Sequence, residues 1–191
     1  MGTPHDSSDR KSPAEATLDG FSVLDECHRE TLVALDKLEA LVARLGVGDV
    51  GAESRALAVD ILHHFSTTAR LHHKDEELHV FPKLAASADE DMVQAVLRLQ
   101  QDHHWLEEDW MEIAPHVDAV ACGQTWYDVD VLREGTEIFV GLSRDHIALE
   151  ESWLYPDLRT RLQPGERREM GREMAARRRA ERKAAGASGT K

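Results

Sequence analysis

Two stretches of the chain carry a histidine and a glutamate four residues apart: His72 with Glu76, and His146 with Glu150. Residues at that spacing lie one above the other on a helix, so each pair aims two ligand groups at one point. Aligning Pro82 with Pro156 superposes far more than the two pairs. Glu76-Glu77 falls on Glu150-Glu151, Phe81 on Tyr155, and Leu84 on Leu158. Two helices so equipped can clamp a metal ion. Mixed imidazole and carboxylate donors suit iron, zinc or manganese, whereas calcium prefers oxygen and copper(I) prefers sulfur.

A lone histidine precedes each pair inside an apolar helical stripe, His28 in the first case and His103 in the second. The intervals from His28 to His103 and from His72 to His146 define an internal repeat of about 75 residues. Hydrophobic neighbours keep the same register, Leu24, Leu35 and Leu38 matching Leu99, Trp110 and Ile113. The six donors His28, His72, Glu76, His103, His146 and Glu150 exceed what one tetrahedral zinc requires. Two equivalent halves, each with two imidazoles and a carboxylate, account for them if Glu76 and Glu150 bridge two metals. His73 and Glu77 share the same spacing and form an alternative pair if the helix is rotated by one residue. His64, two turns before His72, reads as a supporting donor or as lining an entry path.

Four helices must position these groups. The first starts near Ser22 as its cap, carries Leu24, His28, Leu32, Leu35, Leu38, Leu41 and Leu45 on one face, and stops at Gly46. The second runs from about Glu53 to Ala86 through Leu57, Ile61, Phe65, Ala69, His72 and Glu76, with Pro82 bending its end. Asp89 caps a third helix bearing Val96, Leu99, His103, Leu106, Trp110 and Ile113, with a kink at Pro115. The fourth, from about Val129 to Tyr155, presents Leu132, Phe139, Leu142, His146 and Glu150. Short connections make the four antiparallel, which brings the donors to one level of an all-α bundle core.

The chain has 191 residues and a net charge of -13, which suits one domain with polar ends and argues against a nucleic-acid binder. Residues 1–20 read as a disordered arm, 21–162 as the bundle, and 163–191 as a basic, Arg- and Glu-rich helix fraying into a tail that is a candidate contact for a protein partner. No apolar run approaches the roughly 20 residues needed to cross a bilayer, and the start of the chain is neither a secretion signal nor a myristoylation site. Cys27 and Cys122 are too few for a disulfide scaffold and read as reduced thiols of a cytoplasmic protein.

From about Phe21 to Leu162 these residues resemble the hemerythrin-like family, or HHE cation-binding domain. Its pattern is a lone His on helices one and three, and His-x-x-x-Glu followed by an aromatic and Pro on helices two and four. The resemblance implies an up-and-down antiparallel four-helix bundle around a non-haem di-iron centre that binds or senses oxygen, peroxide or nitric oxide. It leaves two further roles open, a catalase- or peroxidase-like enzyme and a metal-stapled interaction module. Oxygen-carrying members have a second His four residues after the helix-three His; Glu107 stands there, an additional carboxylate ligand or part of the solvated run Glu107-Glu108-Asp109.

Overall fold

The computed structural model describes residues 19–188, so all but the last two residues of the arm expected over 1–20 lie outside the described residues. Helices α1 (Gly20–Gly46), α2 (Ala52–His63), α3 (Ala69–His79), α4 (Phe81–Ala85), α5 (Glu90–Ala121), α6 (Val129–Leu149), α7 (Tyr155–Arg161) and α8 (Pro164–Ser188) make up the described secondary structure, with two π-helical turns. One, His64–Thr68, joins α2 to α3, and the other, Glu150–Leu154, joins α6 to α7. The four legs of an antiparallel bundle are therefore α1, α2 to α4, α5, and α6 to α7.

Local chemistry sets the ends of the legs. Asp89 Oδ1 accepts from the amides of Asp91 and Met92, and Asp128 Oδ1 does the same for Asp130 and Val131, satisfying donors that the first helical turn leaves orphaned. The first helix begins ahead of its expected cap: Asp19 accepts from the Phe21 amide at 2.9 Å, which places Ser22 inside α1. Beyond Gly46, Gly48 at φ 79 adopts the left-handed conformation that an L side chain rarely takes.

The two ligand-bearing legs meet their prolines in different ways. Before Pro82 the helix breaks at Val80, and α4 starts afresh with the proline in its first turn, where a missing amide hydrogen costs no bond. Before Pro156 it widens instead, so that the Tyr155 amide reaches back five residues to the Glu150 carbonyl. Pro115 falls inside α5, which runs on to Ala121.

One half of the bundle is apolar. Leu35, Leu38, Leu41, Ile61, Phe65, Leu106, Trp110, Ile113, Val117, Leu132 and Phe139 are all buried in one cluster. Phe65, Trp110 and Phe139 form its aromatic centre, with ring centroids 5.0 to 5.9 Å apart. Each such buried side chain contributes about 1.5–3 kcal/mol, so this half anchors the geometry of the other. Ion pairs at the rim set which legs are neighbours: Lys37 of α1 meets Asp60 of α2 at 2.7 Å, and Arg144 of α6 meets Asp36 and Glu39 of α1 at 3.0 and 2.7 Å.

The bundle, Leu24–Leu162, is one compact unit, and residues 19–23 with the described part of 163–191 form a second. Within the second unit Met170 is buried so closely over Gly20 that a Cβ there would collide with it, and Arg167 pairs with Asp19 at 3.4 Å.

Candidate metal centre

In the other half of the bundle the core-facing stripe changes from apolar to ligand-bearing. His28 from α1, His72 and Glu76 from α3, His103 from α5, His146 from α6 and Glu150 from the second π turn are all buried, none more than 5% exposed. They converge as two sets of four. His28, His72, Glu76 and Glu150 each offer a donor atom within 4.8 Å of one another, and so do Glu76, His103, His146 and Glu150. The two glutamates belong to both sets.

Individual distances follow the repeat. Glu150 lies 3.2 Å from His28 Nε2 and 3.4 Å from His146 Nε2, while Glu76 lies 3.3 Å from both His72 Nε2 and His103 Nε2. Behind each lone histidine stands the second glutamate of a doublet: Glu151 reaches His28 Nδ1 at 3.0 Å and Glu77 reaches His103 Nδ1 at 3.2 Å. These contacts fix the rings so that Nε2 faces the centre. His146 Nδ1 has Asp102 at 3.6 Å.

Charge inside the cluster is balanced by protons. Burial pushes His28 down, but the carboxylates of Glu150, Glu76 and Glu151 outweigh it and raise it. His146 behaves alike, carried against burial to about 10 by Glu150 and Asp102, and Glu150 is held well below the usual carboxylate range despite its burial because His146 and His28 face it. For His72 burial wins, leaving it near 3, and burial likewise keeps His73 neutral.

These residues fit a pair of metal ions. Buried polar groups normally find hydrogen-bond partners, yet Nε2 of His72, His103 and His146, Oε2 of Glu76 and both carboxylate oxygens of Glu150 make none. Unpaired nitrogen and oxygen atoms crowded into a dry core are costly unless a cation takes up their lone pairs. One position would be held by His28 and His72, the other by His103 and His146, with Glu76 and Glu150 between them.

Two sequence expectations need revision in detail. Glu107 is not brought to the cluster: it is exposed on α5 and pairs with Arg70 at 2.5 Å, the solvated alternative for that acidic run. The side chain of His73 joins the site alongside His72 instead of replacing it. Its ring stacks on His103 at 4.0 Å, and a ring nitrogen lies within 4.8 Å of donors on His103 and His146. His64 stays outside the cluster, its Nε2 2.9 Å from Thr31 Oγ1, lining a solvent-open groove between α1 and α2.

Asp102 and Tyr155 were not singled out from the sequence as parts of the site. The only signal for Tyr155 was its place opposite Phe81 in the repeat. Its hydroxyl donates to Glu76 Oε1 and lies 3.4 Å from His28 Nε2, and burial together with Glu150 and Glu76 raises its pKa well above the ordinary value.

Among curated sequences, the chain is 35% identical over 118 residues to an uncharacterized protein of Haemophilus influenzae, covering 62% of this chain and 66% of that one. The chain thus spans just under two thirds of that relative's length. Residues 19–158 match the family model of the hemerythrin HHE cation binding domain, and with its fold and donor set the chain belongs to that family.

Proposed function

We propose that this chain is a di-iron protein that binds or senses a small oxidant or diatomic ligand: oxygen, peroxide or nitric oxide. The observation that carries the reading is the pair of four-donor clusters sharing Glu76 and Glu150. Imidazole-rich donor sets of this kind favour iron, manganese or zinc over calcium, and the family favours iron. Iron, when bound, would supply the redox chemistry and open coordination positions.

The protein's part is to hold and to exclude. Glu151 and Glu77 orient His28 and His103, and Asp102 backs His146. Val80, Phe81, Leu99, Leu154 and Tyr155, each at most 1% exposed, keep bulk water from the ligand-bearing half. No described helix is long and apolar enough to cross a membrane, and Cys27 and Cys122 are not joined in a disulfide, which supports a reducing, cytoplasmic setting. The exposed Arg side chains of α8 remain the candidate surface for a protein partner.

Iron quantification and an optical spectrum of protein from iron-replete cells test the reading. Two irons per chain, with bands that shift on adding peroxide, azide or nitric oxide, are expected. Less than about one iron with full zinc occupancy would sink it.

A further inference from the structure

The two halves of the centre are related by the repeat but are not alike. Aligning Pro82 with Pro156 pairs His73 with Ile147 and Phe81 with Tyr155. The His103 side therefore has an additional imidazole, from His73, stacked on His103, and a phenyl ring, Phe81, whose centroid is 5.2 Å from that of His103. On the His28 side the aliphatic Ile147 stands at the matching place in the repeat, and the ring covering His28 is a phenol. Each half has one donor that the other lacks.

Packing alone does not call for that phenol. Phe81 and Tyr155 are both 1% exposed, and each covers the lone histidine of its half. A phenyl ring suffices at Phe81, whereas a buried hydroxyl needs a polar partner, and Tyr155 finds one among the donor atoms. The Tyr155 ring lies parallel to His28, with centroids 5.3 Å apart and planes 7° from each other. That stacking directs Oη towards the donor atoms. It touches Glu76 Oε1 and stands 3.4 Å from His28 Nε2. Two ligand atoms each about 2.1 Å from one metal are themselves separated by about 3 Å. Oη is thus at the spacing expected of a fellow ligand of His28.

We propose that Tyr155 is a metal ligand, its phenolate oxygen binding the ferric ion held by His28 and His72. This rests on the iron reading above. The hydroxyl proton now donated to Glu76 leaves to solvent as the oxygen–iron bond forms, with no change in oxidation state. The two ions then differ in kind: a third imidazole serves one and a phenolate the other. A phenolate is a hard anionic donor that favours the ferric state, so the His28 side is the harder of the two.

The test is an optical and resonance Raman spectrum of the full chain loaded with Fe(III). A visible phenolate-to-iron charge-transfer band with enhanced tyrosine ring vibrations is expected. Tyr155→Phe should lose at least nine tenths of the band while keeping iron and helical circular dichroism, and Tyr127→Phe, at the chain's other tyrosine, should keep it. Ring-deuterated tyrosine in the unaltered chain should shift the enhanced vibrations, a readout that does not depend on a variant folding. Two bound irons without the band or without the shift would overturn the Tyr155 proposal and leave the di-iron reading standing. A chain that takes up no iron would overturn both.

Discussion

Asp102 Oδ2 stands 3.6 Å from His146 Nδ1, with both side chains 2% exposed. A carboxylate behind a ligand imidazole fixes its orientation and strengthens it as a donor. The repeat places Cys27 where Asp102 stands, so the first half has a thiol there instead of an acid. Asp102→Asn is expected to weaken one of two metal-binding steps by 10- to 100-fold and to spare the other. Competition with a chelator measures both steps, and an equal loss at each would contradict this assignment.

Glu76 and Glu150 belong to both donor sets, so removing either should disturb two ions at once. Glu76→Gln and Glu150→Gln keep the shape but remove a buried negative charge. Each is expected to reduce the metal content from two per chain to one or fewer, read by elemental analysis of the purified protein. A variant that retains both metals would show that its glutamate is not shared.

For Glu107 the expectation is the opposite. Its partner is the exposed Arg70, and surface pairs of this kind are worth about 0–1 kcal/mol. Glu107→Ala should leave metal content unchanged and alter stability by less than about 1 kcal/mol in a denaturant titration. A lost metal would return Glu107 to the centre.

His73 offers a sharper comparison, because the repeat itself supplies the replacement. His73→Ile installs the residue found at 147 and should weaken one metal-binding step at least tenfold while helicity is retained. Unchanged chelator competition would make His73 a packing residue stacked on His103.

His64 gives a dependence on pH separate from the metal donors. Burial, and then the nearby charges of His63 and Lys37, lower its pKa to about 4. The unfolded chain takes up this proton at the ordinary value near 6.5, and the folded chain resists it. Stability linked to His64 is therefore fully present above pH 6.5 and is lost as pH falls towards 4, by roughly 3 kcal/mol over that window. His64→Gln should flatten the slope between those limits in denaturant titrations of the metal-loaded protein. A slope unchanged by the substitution would reject the assignment.

Much of the architecture was legible because the apolar stripes and the proline-aligned repeat are long and mutually consistent. Leu24, Leu35 and Leu38, with Leu99, Trp110 and Ile113, are buried as their shared register implied. What spacing could not show was which neighbouring residues also turn inward. His72 and His73 look like rivals on a regular helix, since adjacent residues point about 100° apart. Two donor sets lying side by side instead use both. The π turn at His64–Thr68 was likewise hidden, although Leu57, Ile61, Phe65 and Ala69 step by four, a period that drifts around an ordinary helix and that a wider turn partly corrects. Glu107 matched its expected position by spacing alone, and the exposed face of α5 with Arg70 opposite decided its contact.

The widened turn before Pro156 makes the length of the chain there matter as much as its composition. Because the Tyr155 amide answers the Glu150 carbonyl across five residues, ordinary helical pitch over the same five residues would carry the phenol well past the donor atoms it now faces. A substitution that tightened this turn while leaving every donor in place would still unmake one side of the centre.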